Sequence, residues 1–173
     1  AALKAGIDYR EPDEGAIHGS IAAHELPFRN GAGARHDLGL IRESLYEVMW
    51  SDVGILRTAQ GLERALGRLA LLDAQLSECA VADDDRAFNL SWHDWINLRS
   101  LIAVSRAIAT AALARDDSRG AHFREDFPDT SELQQSTFTV VTELEGGLRL
   151  RREAVAFTRV QPGETLIATG TDR

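Results

Sequence analysis

The stretch L-E-R-A-L-G-R-L-A-L-L-D-A-Q-L, Leu62–Leu76, decides the fold class. Leu62, Leu66, Leu69, Leu72 and Leu76 recur at spacings of four and three, the repeat of one helical face. Glu63, Arg64, Arg68 and Asp73 fall elsewhere on the wheel, so the leucines form a core stripe and the charges a solvated one. Thr58 stands ahead of the stripe as a helix cap, and the charged run Ala82–Arg86 ends it.

Working upstream, Leu38, Ile41, Leu45 and Val48 mark one face of an earlier helix, with Asp37 as its cap. Gly54 is the expected weak point after it. Downstream, Ser91 and Asp94 form a capping-box pattern at the head of a third helix expected to run to about Arg115. Trp95, Leu98, Leu101, Ile102, Val104, Ile108, Ala109, Ala112 and Leu113 cover most of its circumference. A helix this apolar is expected to be buried on more than one side. Three helices with connections of moderate length predict a mainly α fold, an up-down bundle spanning residues 37–128.

The period then changes to two. Phe138, Val140, Thr142 and Leu144 alternate with Thr137, Thr139, Val141 and Glu143, as in a strand. Gly146-Gly147 offers a hairpin turn, and 148–160 a return strand with a bulge where apolar parity switches between Leu150 and Val155. Residues 129–173 are thus a small β-hairpin extension and tail. Residues 1–36, rich in Gly, Pro and charge, read as an irregular arm or linker.

Composition narrows the function. The 173 residues carry a net charge of −8, the wrong sign for a phosphate reader, and a hydrophobic fraction of 44% supports one real core. The single cysteine, Cys79, excludes an internal disulfide and a thiolate cluster, which fits a reducing, cytoplasmic setting. No run of 18 residues lacks charge, so no spanning helix is expected. The start has neither an initiating Met nor a basic-apolar leader, as in a processed product or a piece of a longer chain.

The densest chemistry lies at D-D-S-R-G-A-H-F-R-E-D-F-P, Asp116–Pro128. His122 has the chemistry of a general base and Asp126 that of its orienting carboxylate, with Ser118 four residues from the histidine. No G-x-S-x-G context surrounds that serine, however. A loop held by hydrogen bonds needs the same residue types, and Gly120 suits a backbone angle closed to other residues.

Other candidates are weaker. His18 and His24 are six apart rather than i, i+4, and with His36 they read as solvated loop histidines. His93 is a cap neighbour. Gly31-Ala32-Gly33 lacks the strand and third glycine of a phosphate cradle. Trp50, Trp92 and Trp95 are core or interface anchors rather than a stacking platform. The sequence holds no self-contained active site.

Three elements in order carry a resemblance. S-R-G-A-H-F-R-E-D-F-P, Ser118–Pro128, follows the alanine-rich lead-in Ala111–Arg115, with Asp117 where glutamate is usual. M-W-S-D-V-G-I-L-R-T-A-Q-G-L-E-R-A-L, Met49–Leu66, precedes it, and L-R-L-R-R-E-A-V-A-F-T-R-V-Q-P-G-E, Leu148–Glu164, follows. Together they resemble the C-terminal helical domain of the succinate dehydrogenase/fumarate reductase flavoprotein family, which includes L-aspartate oxidase.

The resemblance implies a spectrin-repeat-like three-helix bundle with a hairpin extension. It implies a parent enzyme that uses FAD on a C4 dicarboxylate or L-aspartate, with an iron–sulfur subunit as a further partner. The family's flavin-binding and catalytic residues have no counterpart here, so no catalytic, cofactor-binding or metal residue transfers. Arg119, His122, Arg124 and Asp126 become candidates for organising the junction with the flavin domain. A bridging Arg119 predicts that Arg119→Ala leaves the isolated bundle's melting nearly unchanged. The competing expectation is a stand-alone helical protein-interaction module.

Overall fold

The computed structural model describes residues 11–30, 36–81, 83–144 and 147–164. Three long helices, α3 (Leu38–Ser51), α4 (Ala59–Ser77) and α5 (Leu90–Leu113), pack pairwise around one core. Their buried faces follow the periodicity: Ile41, Leu45 and Val48 from α3, Leu62, Leu69, Leu72 and Leu76 from α4, Trp95, Leu98 and Ile102 from α5. Trp95 also donates its indole N–H to the Leu76 carbonyl at 2.8 Å, satisfying the end of α4.

Local chemistry sets the helix ends. Asp37 Oδ1 accepts from the amides of Gly39 at 2.6 Å and Leu40 at 3.2 Å. Thr58 Oγ1 accepts from Gly61 N at 3.1 Å, as its position predicts. At the third helix the expected capping box is replaced. Asn89 is the cap, accepting from Trp92 N at 2.9 Å while its amide donates to the Asp83 and Asp85 carbonyls at 2.8 Å each. One buried amide therefore starts the helix and folds the acidic loop, which a serine at position 91 cannot do. After α3, a Cβ on Gly54 would lie 2.4 Å from the Trp50 carbonyl oxygen, so only glycine lets the chain turn there.

The arm departs from expectation. Residues 14–24 form α1 (Glu14–His24), capped by Asp13, and 26–29 form the single turn α2 (Leu26–Arg29). Helix α1 has no buried residue, so no apolar period betrays it. What holds it comes from far along the chain and meets its end: Trp92 donates its indole N–H to the His24 carbonyl at 2.8 Å, and its ring meets Phe28 edge-on at 5.1 Å. Asn30 donates to the carbonyls of Ser77 at 2.7 Å and Cys79 at 2.8 Å. The Gly31–Gly33 pattern lies outside the described residues.

Two small sheets complete the fold. Strand β1 (Leu56–Arg57) pairs in parallel with β2 (Phe123–Arg124), a contact too short to leave a period in the sequence. Strands β3 (Thr137–Leu144) and β4 (Gly147–Ala154) form the expected antiparallel hairpin. Gly147 is not part of its turn but the first residue of β4, opposite Leu144, with φ +124°. Gly146 lies outside the described residues. The expected bulge is absent between Leu150 and Ala154. The ladder runs unbroken to Thr137↔Ala154, and β4 stops where the apolar parity switches.

Helix α5 has no 18-residue run free of charge, yet with a mean hydropathy of 1.3 it is long and apolar enough to cross a membrane by length and composition alone. Its Trp95–Ala112 stripe is instead buried against α3 and α4.

Candidate functional site: the loop after the long helix

The segment from Asp116 to Pro128 leaves the end of α5 and folds back on it. Arg119 and His122 exchange backbone hydrogen bonds at 2.8 and 3.0 Å across a tight turn. Gly120 sits in that turn at φ +56°, the left-handed region that favours glycine. Ser118, buried, donates its hydroxyl to the Phe127 carbonyl at 2.7 Å and accepts from Arg124 N at 2.8 Å. Its oxygen is committed to the loop's own backbone and is no nucleophile.

Arg124 is the centre of the arrangement. Only 1% exposed, it forms a bidentate pair with Asp126 at 2.6 and 2.7 Å. Its Nη1 donates to the carbonyls of Ala112, Leu113 and Arg115 at 3.1, 3.1 and 2.9 Å. These carbonyls lie at and just past the end of α5, where a cation is favoured; the Ala112 oxygen also accepts from Arg115 N at 3.3 Å. The guanidinium also lies 4.9 Å over the Phe127 ring. Asp126 completes the bridge by accepting from Ala59 N, at the start of α4, at 2.8 Å. One ion pair thus joins the C-terminus of α5 to the N-terminus of α4. The hydrogen bonds from Arg124 hold the Asp126 carboxyl well below the usual carboxylate range, and the same pairing raises Arg124.

His122 faces Arg57, a residue that sequence reasoning quoted within the Met49–Leu66 element without giving it a role. Arg57 donates Nε–H to the Val53 and Gly54 carbonyls at 3.0 and 2.8 Å, and its Nη1 lies 2.8 Å from His122 Nδ1. A guanidinium can only donate, so Nδ1 is the acceptor and His122 carries its proton on Nε2. That Nε2 is buried without a hydrogen-bond partner. Burial, then the charges of Arg115 and Arg57, push the imidazole below its ordinary pKa. A neutral histidine whose basic nitrogen is taken by an arginine has no proton-accepting position left for a substrate.

Arg119 turns the other way, toward the hairpin. It donates to the Thr130 and Glu132 carbonyls at 2.7 and 3.1 Å and to Ser136 Oγ at 2.6 Å, and it pairs with Asp117 at 2.8 Å. Arg152 reaches from β4 to the Ala114 carbonyl. Between them lies a polar cleft of about 260 Å³ lined by Arg115, Asp117, Arg119 and Arg152. Its arginines face aspartates, so it offers no net cationic seat for an anion.

The four candidates therefore share one loop, but each has its bonds inside this chain. The histidines of the arm do not converge: His24 binds the Ser20 carbonyl at 2.7 Å, His36 lies 3.7 Å from Glu78, and His18 is exposed. Among the described residues no group of three His, Cys, Asp or Glu side chains is placed to hold a metal. The described residues do not fit a flavin nucleotide either. Gly120, Gly147 and Gly163, at positive φ, sit in turns or a strand start, and none opens a helix behind a strand.

Residues 42–166 match the family model described as "Fumarate reductase flavoprotein C-term". The chain is 31% identical over 137 residues to the fumarate reductase flavoprotein subunit of Mycobacterium tuberculosis, covering 79% of this chain and 23% of the relative. It is 41% identical over 88 residues to L-aspartate oxidase 1 of Ralstonia nicotianae, covering 51% and 15%. A chain of the Mycobacterium smegmatis Sdh1 complex in the apo form superposes with a TM-score of 0.77 at 28% identity, over 88% of this chain and 26% of that one. The chain thus spans less than a quarter of these two curated relatives. The match over residues 42–166 includes the Ser118–Pro128 loop and the pairing it makes, and on it the chain belongs to the fumarate reductase flavoprotein C-terminal family.

Proposed function

We propose that this chain is the C-terminal accessory domain of an FAD-dependent oxidoreductase of the succinate dehydrogenase/fumarate reductase type, not catalytic alone. Its task is to brace the flavin-binding domain of the same polypeptide. The observation that carries this reading is the loop itself. Its serine, histidine, arginines and aspartates hold helix ends and backbone together, and none is left to act on a substrate. Arg119, His122, Arg124 and Asp126 then serve the domain junction indirectly, by fixing the shape of the surface presented there. The up-down order of the helices, the division at residues 36 and 128, and cytoplasmic residence belong to the same reading. An iron–sulfur subunit is its further partner, and FAD and the dicarboxylate or aspartate substrate are handled by the parent's other domains.

Flavin retention tests the proposal. The 173-residue chain, purified with added FAD, is expected to show no flavin absorbance, while the reading frame in which it lies yields a flavoprotein. Stoichiometric flavin on the isolated chain, or a frame with no flavin-binding portion, overturns it. The second result would favour a stand-alone interaction module.

A further inference from the structure

The loop after α5 is fastened at two places that respond differently to acid. At its base, Arg124 and Asp126 pair at 2.6 and 2.7 Å, and Arg124 holds the Asp126 carboxyl ionised far below neutrality. Ser118 ties the same part of the loop to the Phe127 carbonyl and the Arg124 amide. At its tip, Arg119 and His122 exchange two backbone hydrogen bonds, and the His122 ring fastens the turn to Arg57. Gly120 and Ala121 are exposed, so His122 is the side chain that anchors the tip. Arg57 has no room to yield. Its Nε donates to the Val53 and Gly54 carbonyls, and its Nη1 lies 2.8 Å from His122 Nδ1.

A second proton on this histidine has one place to go. Nε2 already carries the first, so the second must sit on Nδ1, the atom that accepts from Arg57. That would set two cationic donors 2.8 Å apart, and the buried Nε2 has no acceptor of its own. The surroundings do not compensate. Arg57 faces the ring from β1, Arg115 from the end of α5 and Arg124 from the loop, all of them cations. Asp117, the carboxylate that acts on the ring among the described residues, is taken by Arg115 at 2.9 Å and Arg119 at 2.8 Å. Helix α5 and strand β3 line the adjoining depression with Ile108, Ala111, Ala112, Thr137, Phe138 and Thr139, none of them charged. We infer that the Arg57–His122 contact is a proton-released latch: acid lifts the tip of the turn, residues 120–122, off Arg57, while the Arg124–Asp126 pair keeps the base of the loop on α4 and α5. Gly120, at φ +56° and with open space where a Cβ would stand, is the hinge. Arg57 borders both the groove walled by Trp50, Ile55 and Leu56 and the depression lined by Ile108 and Phe138. Release of the ring therefore opens one into the other and bares the guanidinium between them.

The closed turn takes only the neutral ring and the open turn takes either form, so opening should grow about tenfold for each pH unit below about 6.5. Amide hydrogen exchange of the 173-residue chain, followed from about pH 6.5 to 4.5 and corrected for intrinsic exchange, reads this site by site. The Arg119 and His122 amides should lose protection with that slope, while Leu69 in α4 and Phe127, whose amide donates to the Arg124 carbonyl, keep theirs. Nitrogen-15 spectra of the ring at neutral pH should show Nε2 protonated and Nδ1 bare. His122→Gln can still accept from Arg57 but cannot titrate, so protection at Arg119 should stay flat across the range. Arg57→Gln can turn its amide oxygen toward a protonated Nδ1, so the slope should flatten there too while the ring titrates at higher pH. A ring protonated on Nδ1 at neutral pH overturns the latch, as does a second proton taken up with no change at Arg119 and His122. A slope that persists in His122→Gln overturns it as well. So does loss of protection at Leu69 in step with the turn, since the chain would then be unfolding as a whole.

Discussion

Replacing Arg124 by alanine removes five hydrogen bonds at one stroke: two to the Asp126 carboxylate and three to the carbonyls that end α5. Three of these share the single Nη1 nitrogen, so their values do not add. The carbonyls are left facing a gap, and breaking one side of a buried pair costs about 3–5 kcal/mol. Asp126 is 31% exposed and recovers part of its hydration, which places the expected loss near the lower end, about 3 kcal/mol. For a chain of this length that is a fall in Tm of roughly 6–12 °C.

Urea unfolding followed by far-UV circular dichroism measures the change. Arg124→Lys keeps the charge but replaces a five-donor fork by a point donor, so it should recover less than half of the loss. A double-mutant cycle with Asp126→Asn should return a coupling of about 1–2 kcal/mol, since the two side chains bridge α5 to α4 together. An Arg124→Ala loss below about 1 kcal/mol, the size of a typical substitution, would refute the idea that this ion pair ties the helix ends.

Acid should reveal the same pair. The Asp126 pKa is lowered in the fold, so its contribution is present above its unfolded pKa, about 3.9, and fades as pH falls toward the lower folded value. The stability gap between the native chain and Asp126→Asn should therefore close below about pH 4, read by urea midpoints at fixed ionic strength. For His122 the folded pKa is also lowered. Its neutral form is favoured above the unfolded value of about 6.5, and stability is lost as pH drops through that value toward the folded one. The His122 ring shifts in NMR should titrate below about 6.5, and His122→Gln should blunt the loss of stability between neutral and mildly acidic pH. Arg119→Ala should destabilise the isolated chain by about 1–2 kcal/mol, since its bonds to Thr130, Glu132, Ser136 and Asp117 are internal. An unchanged urea midpoint would restore the pure bridging role. Gly54→Ala drives a Cβ into the Trp50 carbonyl and should cost about 1–3 kcal/mol by the same measurement.

The helices were legible because burial imposes a period. The leucines at 62, 69, 72 and 76 must share a face to leave water, and the spacing records it. The caps at Asp37 and Thr58 were legible for a similar reason, since each sits directly before its period begins. Asn89 was missed because its decisive bonds run backward to Asp83 and Asp85, into a loop with no period of its own. Helix α1 was missed because its contacts lie at its end, through the His24 carbonyl, and not along a face. The candidate site was legible as a cluster but not as a geometry. Spacing placed His122 near Ser118 and Asp126, yet it could not show that Arg57, sixty-five residues away, takes the ring nitrogen a base would need. Pairings across the fold, such as β1 with β2, leave no local signal at all.

The crowding of charge after α5 then has a physical reason independent of catalysis. A long helix that ends inside a domain leaves carbonyls without partners, and a neighbouring helix that starts there leaves amides without partners. An arginine answers the first need and a carboxylate the second, and placing both on one short loop lets each neutralise the other. Arg124 and Asp126 do this two residues apart, and Ser118 and Gly120 give the backbone the turn that brings them into place. The loop therefore has to be polar inside, because helix ends are polar. The densest cluster of reactive side chains among the described residues is thus a fastening between the end of α5 and the start of α4.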